Sequence, residues 1–160
     1  MINTAVISIS DTRKADNDIS GDKLAELVDK NGGVIIEKLI AKDDRIELEE
    51  LLRHLAERDD IDLILTTGGT GFGPRDNTPE ATAAVIEREA PGIAEAMRRE
   101  TAVKHPMAML SRGVCGIRGK TLIINLPGSP RGVKECFDVI QPVLKHAVAL
   151  VAGDTAHQED

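Results

Sequence analysis

Two short segments gather the residue types that handle phosphate. Residues 65–80 read LTTGGTGFGPRDNTPE, with four glycines between 68 and 73, threonines at 67 and 70, and then Arg75 and Asp76 before a Thr78-Pro79-Glu80 helix start. Glycines let the chain bend sharply with its N–H groups unshielded, and such amide arrays form concave anion sites. Arg75 adds a cation, and the helix start adds a partial positive charge. Residues 125–130 read NLPGSP, with Ser129 placed to cap a helix, Pro130 at its first position, and Arg131 and Lys134 close behind. That too is a ready anion site. Neither segment is a P-loop, because Gly-Lys-Ser/Thr is missing, nor does either carry a dinucleotide fingerprint. Taken singly, each also reads as an ordinary tight turn or capped helix.

Asp76 admits two chemistries. It can close an Asx turn ahead of the following helix. It can also bind Mg²⁺, which usually takes one or two carboxylates together with substrate phosphates. Asp43 and Asp44, after the second expected strand, are candidates for a second carboxylate, and a solvated turn or a helix cap is the alternative for either. Ser10-Asp11 is ambiguous in the same way. His54, His105, His146 and His157 form no usable pattern. Cys115 and Cys136 have neither metal-ligand spacing nor a disulfide framework, and read as reduced, semi-buried thiols of a cytoplasmic protein.

The elements that must hold these residues follow from the apolar spacing. A β-rich run, AVISISD, gives a first strand ending near Asp11-Thr12, and a polar loop then leads to Ser20 as the cap of a helix carrying Leu24, Leu27 and Val28. Asn31-Gly32-Gly33 ends that helix. Residues 34–40 form a second strand, and Leu48, Leu51, Leu52 and Leu55 make the buried stripe of a second helix. Residues 61–66 form a third strand running into the glycine turn. Thr78 caps the next helix, which Pro91-Gly92 breaks before a further helix with Ile93 and Met97. Strands at 113–117 and 120–126 flank a hairpin turn at Arg118-Gly119, and the last helix is interrupted or restarted at Pro142. This alternation predicts a three-layer α/β/α, Rossmann-like fold with a mostly parallel sheet and a late antiparallel hairpin. The expected organisation is one domain over residues 1–153 and a polar tail at 154–160. Ligands in such sheets sit beyond the carboxyl ends of the strands, and residues 8–11, 42–44, 66–76 and 125–130 all fall there.

Composition narrows the possibilities. The 160 residues carry a formal charge of −7, with 41% apolar and 29% charged residues, a globular balance. There is no Trp or Tyr, and the only aromatics are Phe72 and Phe137. An acidic chain without stacking platforms is a poor nucleic-acid binder. No apolar run is long enough for a membrane span, and the N-terminus does not read as a signal peptide.

In combination, the segments Ser8-Ile-Ser-Asp11, Asp18-Ile-Ser-Gly21, Thr67-Gly-Gly-Thr-Gly71, Arg75-Asp76-Asn-Thr-Pro-Glu80, Pro91-Gly92, Leu110-Ser-Arg112 and Leu126-Pro-Gly-Ser-Pro130 resemble the molybdopterin adenylyltransferase family of molybdenum cofactor biosynthesis, the MoaB/MogA group. They occur in order over nearly the whole chain. The resemblance implies a molybdopterin-binding-domain fold and transfer of AMP from Mg-ATP to the terminal phosphate of molybdopterin, releasing pyrophosphate. It puts the catalytic, Mg²⁺-binding aspartates at Asp76 and Asp43, with Asp44 the adjacent alternative. Substrate contacts are expected from Ser10, Asp11, Thr67, Gly68, Gly69, Thr70, Gly71, Arg75, Ser111, Asn125, Pro127, Gly128 and Ser129. It further implies a downstream molybdenum-inserting enzyme, a homotrimer or homohexamer, and a cytoplasmic location. A departure is Asn77, where relatives commonly carry an apolar residue. The competing readings are a carrier or scaffold that holds molybdopterin without adenylylating it, and a nucleotide-cleaving hydrolase from a related but longer pyrophosphatase family. With so few aromatics, amides, hydroxyls and aliphatic walls would have to position the pterin and adenine rings, and Phe72 alone could stack on one.

Overall fold

The computed structural model describes residues 1–154; the expected tail lies, past Asp154, outside the described residues. Eleven elements alternate along the chain: β1 (Ile2–Ile9), α1 (Ile19–Lys30), β2 (Gly33–Ala41), α2 (Arg45–Ala56), β3 (Leu63–Thr67), α3 (Thr78–Val85), β4 (Arg88–Glu89), α4 (Pro91–Ala102), β5 (Cys115–Arg118), β6 (Thr121–Leu126) and α5 (Pro130–Val151). They build a six-stranded sheet of order β2-β1-β3-β6-β5-β4. The first four strands in that order are parallel, and β5 runs antiparallel to both β6 and β4. The fold is thus the expected mostly parallel sheet with a late hairpin.

The central strands are apolar on both faces because both are covered. Val6, Leu63, Leu65, Leu122 and Ile124 pack with α1, α4 and α5 around Phe137. Their sequence neighbours Ala5, Ile7, Ile64 and Ile123 point the other way, onto Leu48, Leu52 and Leu55 of α2 and Ala81 and Val85 of α3. Helices α1 and α2 therefore lie on opposite faces, and the strand order reverses between β1 and β3. Such a reversal opens a crevice at the carboxyl ends of the two strands, and the glycine turn after β3 falls there.

Several local expectations shift. The cap of α1 is Asp18, whose side chain accepts from the Gly21 N–H at 3.1 Å, while Ser20 is buried within the first turn. Thr78 is the first residue of α3, after Asn77. Helix α3 ends at Val85 rather than at Pro91, because residues 87–90 pair with β5 instead: Glu87 N–H donates to Ile117 O and Ala90 N–H to Cys115 O. The hairpin turns on Gly119-Lys120, since Arg118 pairs with Thr121. Helix α5 runs unbroken through Pro142. Cys115 and Cys136 are free and buried, more so than expected. No helix among the described residues is long and apolar enough to cross a membrane.

Candidate functional site

The loops after β1, β2, β3 and β6 meet at one edge of the sheet, and their polar groups first hold one another. Gly68 N–H donates to Leu126 O at 3.1 Å, Thr67 Oγ1 to Pro127 O at 2.7 Å, and Ser20 Oγ to Gly128 O at 2.6 Å. The first two bonds clamp the glycine turn against residues 126–127, and the third ties the start of α1 to the same loop. The hydroxyl of Thr67 and the amide of Gly68 are consumed in the clamp, so both expected substrate contacts act here as scaffold. Gly68 has φ +101° and Gly69 +67°, a region that disfavours side chains. Space excludes them as well: a Cβ on Gly69 would stand 2.3 Å from Thr78 Oγ1 and 2.8 Å from Asp43 Oδ2.

The second clamp is Arg112, a residue of the Leu-Ser-Arg motif with no site role in the sequence reading. Its Nε donates to Gly71 O and its Nη2 to Asp76 O, both at 2.8 Å, and Nη1 pairs with Glu80. The segment between Gly71 and Asp76 is thereby tied at both ends. Its Asp76 carboxylate turns inward and accepts from the Gly73 N–H at 2.8 Å. This bond runs back into the glycine turn, unlike the Asx turn toward the following helix.

Asp43 and Asp44 separate cleanly. Asp44 caps α2, accepting from Glu47 N–H at 3.0 Å. Asp43 is buried, and its Oδ1 accepts from Asn77 N–H at 3.0 Å. Burial pushes its carboxyl above the usual range, and the negative charges of Asp76 and Asp11 add to this against the Asn77 bond and Arg75. Asp11 is held low by the Arg75 guanidinium, which donates from Nε at 2.7 Å, and by the Asp43 N–H. Ser10 Oγ is occupied as an acceptor for Thr12 and Arg13 N–H groups.

Beyond the glycine turn lies a cavity of about 420 Å³, within the usual range of small-molecule sites, roughly 300–1,000 Å³. Gly69, Thr70, Gly71, Asp76, Ser111, Asn125, Pro127, Gly128 and Ser129 line it. Ser10, Asp11, Asp43, Thr67, Gly68 and Arg75 do not: Asp11, Asp43 and Arg75 bond to one another outside it, and Thr67 and Gly68 are held in the clamp. The Asn125 amide is spent inside the protein, donating to Thr66 and Thr82 hydroxyls at 3.0 Å and accepting from Val114 N–H at 3.1 Å. Ser129 caps α5 by accepting from Gly132 N–H at 3.0 Å. The cavity continues between α4, α5 and residues 106–110, where His105 and Glu135 meet at 3.1 Å. Cys136 also lines it, but burial pushes its thiol up to about 11, so it is no nucleophile near neutrality.

The arrangement suits two anionic ligands and a divalent cation between them. Asp43 and Asp76 repel one another across the turn, and Asp43 Oδ2 faces it, a donor set that Mg²⁺ would relieve. Among the described residues no group of three or more His, Cys, Asp or Glu could hold a metal alone. A bound ion would therefore complete its shell with phosphate oxygens and water, the usual manner for Mg²⁺.

Known proteins resemble this chain over most of its length. A family model described as "Probable molybdopterin binding domain" matches residues 5–146. "Molybdenum cofactor synthesis protein cinnamon" of Drosophila melanogaster is 42% identical over 158 residues, covering 97% of this chain and 26% of that longer protein. A molybdopterin adenylyltransferase of Helicobacter pylori is 37% identical over 160 residues, covering 96% of this chain and 89% of its own length. The crystal structure of the molybdopterin biosynthesis enzyme MoaB from Thermus thermophilus superposes with a TM-score of 0.88 at 42% identity, covering 96% of this chain and 98% of that one.

Proposed function

This chain belongs to the molybdopterin-binding MoaB/MogA family of molybdenum cofactor biosynthesis, and from that membership we propose that it is a molybdopterin adenylyltransferase using Mg-ATP. The observation that carries the proposal is the pair Asp43 and Asp76, set on either side of a glycine turn, with a small-molecule cavity on one side and the Arg75 cluster on the other.

In the reaction a phosphate oxygen of molybdopterin attacks the α-phosphorus of ATP, and the bond to the pyrophosphate oxygen breaks. No proton need be removed from the nucleophile, so the chain's task is to align two polyanions and offset their charge. Main-chain N–H groups at the turn, Thr70 and the start of α5 receive the pterin's phosphate beside Asp76. Arg75, braced by Asp11, presents its guanidinium on the nucleotide side. Arg112 holds Gly71 and Asp76 so that the turn need not reorganise as charge shifts, which is where preorganised dipoles act most strongly. Asp43 and Asp76 would hold Mg²⁺, which when bound neutralises phosphate charge.

The product would pass to a molybdenum-inserting enzyme, and the chain would act as a trimer or hexamer. Its two buried free thiols fit a reducing cytoplasm. Incubation of the protein with molybdopterin, ATP and Mg²⁺ should release pyrophosphate. Pterin binding without pyrophosphate release would make the protein a carrier, and pyrophosphate from ATP alone would make it a hydrolase.

A further inference from the structure

The far end of the cavity is unlike its mouth. Past Ser129 the walls turn apolar, with Ala94, Met97, Ala108 and Leu110, and into this end project His105 and Glu135, joined at 3.1 Å between Nε2 and Oε1. Their side chains are 34% and 22% exposed. A carboxylate lining the far end of an anion-binding cavity works against an anion and calls for a ligand with N–H donors there. The anionic end lies at the start of α5, and Ser129 to Glu135 spans about 9 Å of helix axis at roughly 1.5 Å per residue. The cavity is therefore polarised: phosphate acceptance at one end, a hydrogen-bond acceptor at the other, and a mainly apolar lining that also includes Thr101 and Arg98, whose Nη1 is spent on the Ser111 and Gly113 carbonyls.

We propose that Glu135 is the specificity-determining residue for the heterocycle of the phosphorylated substrate, its carboxylate accepting from the adjacent 2-amino and N3–H groups of an aminopyrimidinone ring, with His105 as a positioning residue that holds the carboxylate. The inference rests on the molybdopterin reading and assigns the ring end of that substrate. Two adjacent donors match the two oxygens of a carboxylate, which retain lone pairs after His105 has taken one. Adenine offers a donor beside an acceptor and matches it less well. The short sequence spacing 129–135 on one helix explains how the same element serves both ends. A site that hydrogen-bonds its ligand in this way disfavours analogues lacking the donors, because the ligand covers the half-buried carboxylate without pairing it.

The test uses neopterin 3′-monophosphate and its 2-oxo lumazine counterpart, titrated by fluorescence against the full-length protein, with ATP binding measured in parallel. Wild type should bind the pterin at least tenfold more tightly than the lumazine. Glu135→Gln should lose at least tenfold in pterin affinity and reverse the preference, because the amide can donate to the 2-oxo group, while ATP affinity stays within twofold. His105→Ala should weaken pterin binding several-fold with the preference kept, and it leaves α5 intact should the Glu135 variant misfold. Three outcomes overturn the inference: an unchanged preference in Glu135→Gln, a loss confined to ATP, or a wild type that ignores both analogues. Pyrophosphate release by wild type is scored separately, and its failure bears on the adenylylation reading alone.

Discussion

Asp43 and Asp44 are neighbours with opposite fates, and the difference is worth a measurement. Asp44 spends its carboxylate on Glu47 N–H, so Asp44→Asn keeps a good cap and should change activity little, whereas removal of the side chain in Asp44→Ala should cost about 0.5–2 kcal/mol of stability. Asp43 is buried against two other carboxylates, and Asp43→Asn should abolish AMP transfer while the folded protein survives. Equal, wild-type activity in the two Asn variants would remove this turn from the site. Residue type and spacing gave both acids the same claim, and only the family resemblance favoured Asp43, since adjacent residues in a turn differ in direction, and direction follows from the Asn77 N–H and the start of α2. Arg112 and the His105–Glu135 pair escaped the sequence for another reason. Each works through partners more than 25 residues away, Gly71 and Asp76 in one case and the two halves of the pair in the other, and no local spacing announces such contacts.

At the scale of elements, short continuous runs of apolar and β-branched residues foretold the central strands, because both faces of the sheet are buried and each central strand must be apolar throughout. Termini were less legible. Helix α3 stops early because β5 offers its main-chain groups to residues 87–90, a tertiary competitor that local sequence does not contain. Pro142 failed as a breaker for a related reason. Val133, Phe137, Ile140, Leu144 and Val148 bury one continuous face of α5, and the packing outweighs the missing hydrogen bond. Because Pro142 is exposed and its cost persists, Pro142→Ala should stabilise the protein by up to about 3 kcal/mol, partly offset by the freer unfolded chain. Chemical denaturation reads this directly. An unchanged or lower midpoint would mean that α5 is already relaxed around the proline.

Over the whole molecule, a chain of net charge −7 is asked to bring two polyanions together. The overall field opposes that, so attraction must be local: the turn amides, the start of α5, Arg75 and a carboxylate-held cation, all at one edge of the sheet where the strand order reverses. Phe72 stands 70% exposed at the tip of the turn, and Val103, Met107 and Met109 are exposed close to the cavity's far wall. A covering partner copy would account for apolar side chains left in water, in keeping with the proposed trimer or hexamer. Light scattering should return three or six times the chain mass, and a monomer would refute the assembly. The central claim is adenylylation itself, and it is tested most directly by pyrophosphate released from ATP and Mg²⁺ in the presence and absence of purified molybdopterin, for wild type and Asp76→Asn. Release that depends on molybdopterin and collapses at least a hundredfold in Asp76→Asn, with pterin binding retained, is the predicted result. Molybdopterin-independent release, no release, or an Asp76→Asn variant as active as wild type would contradict it.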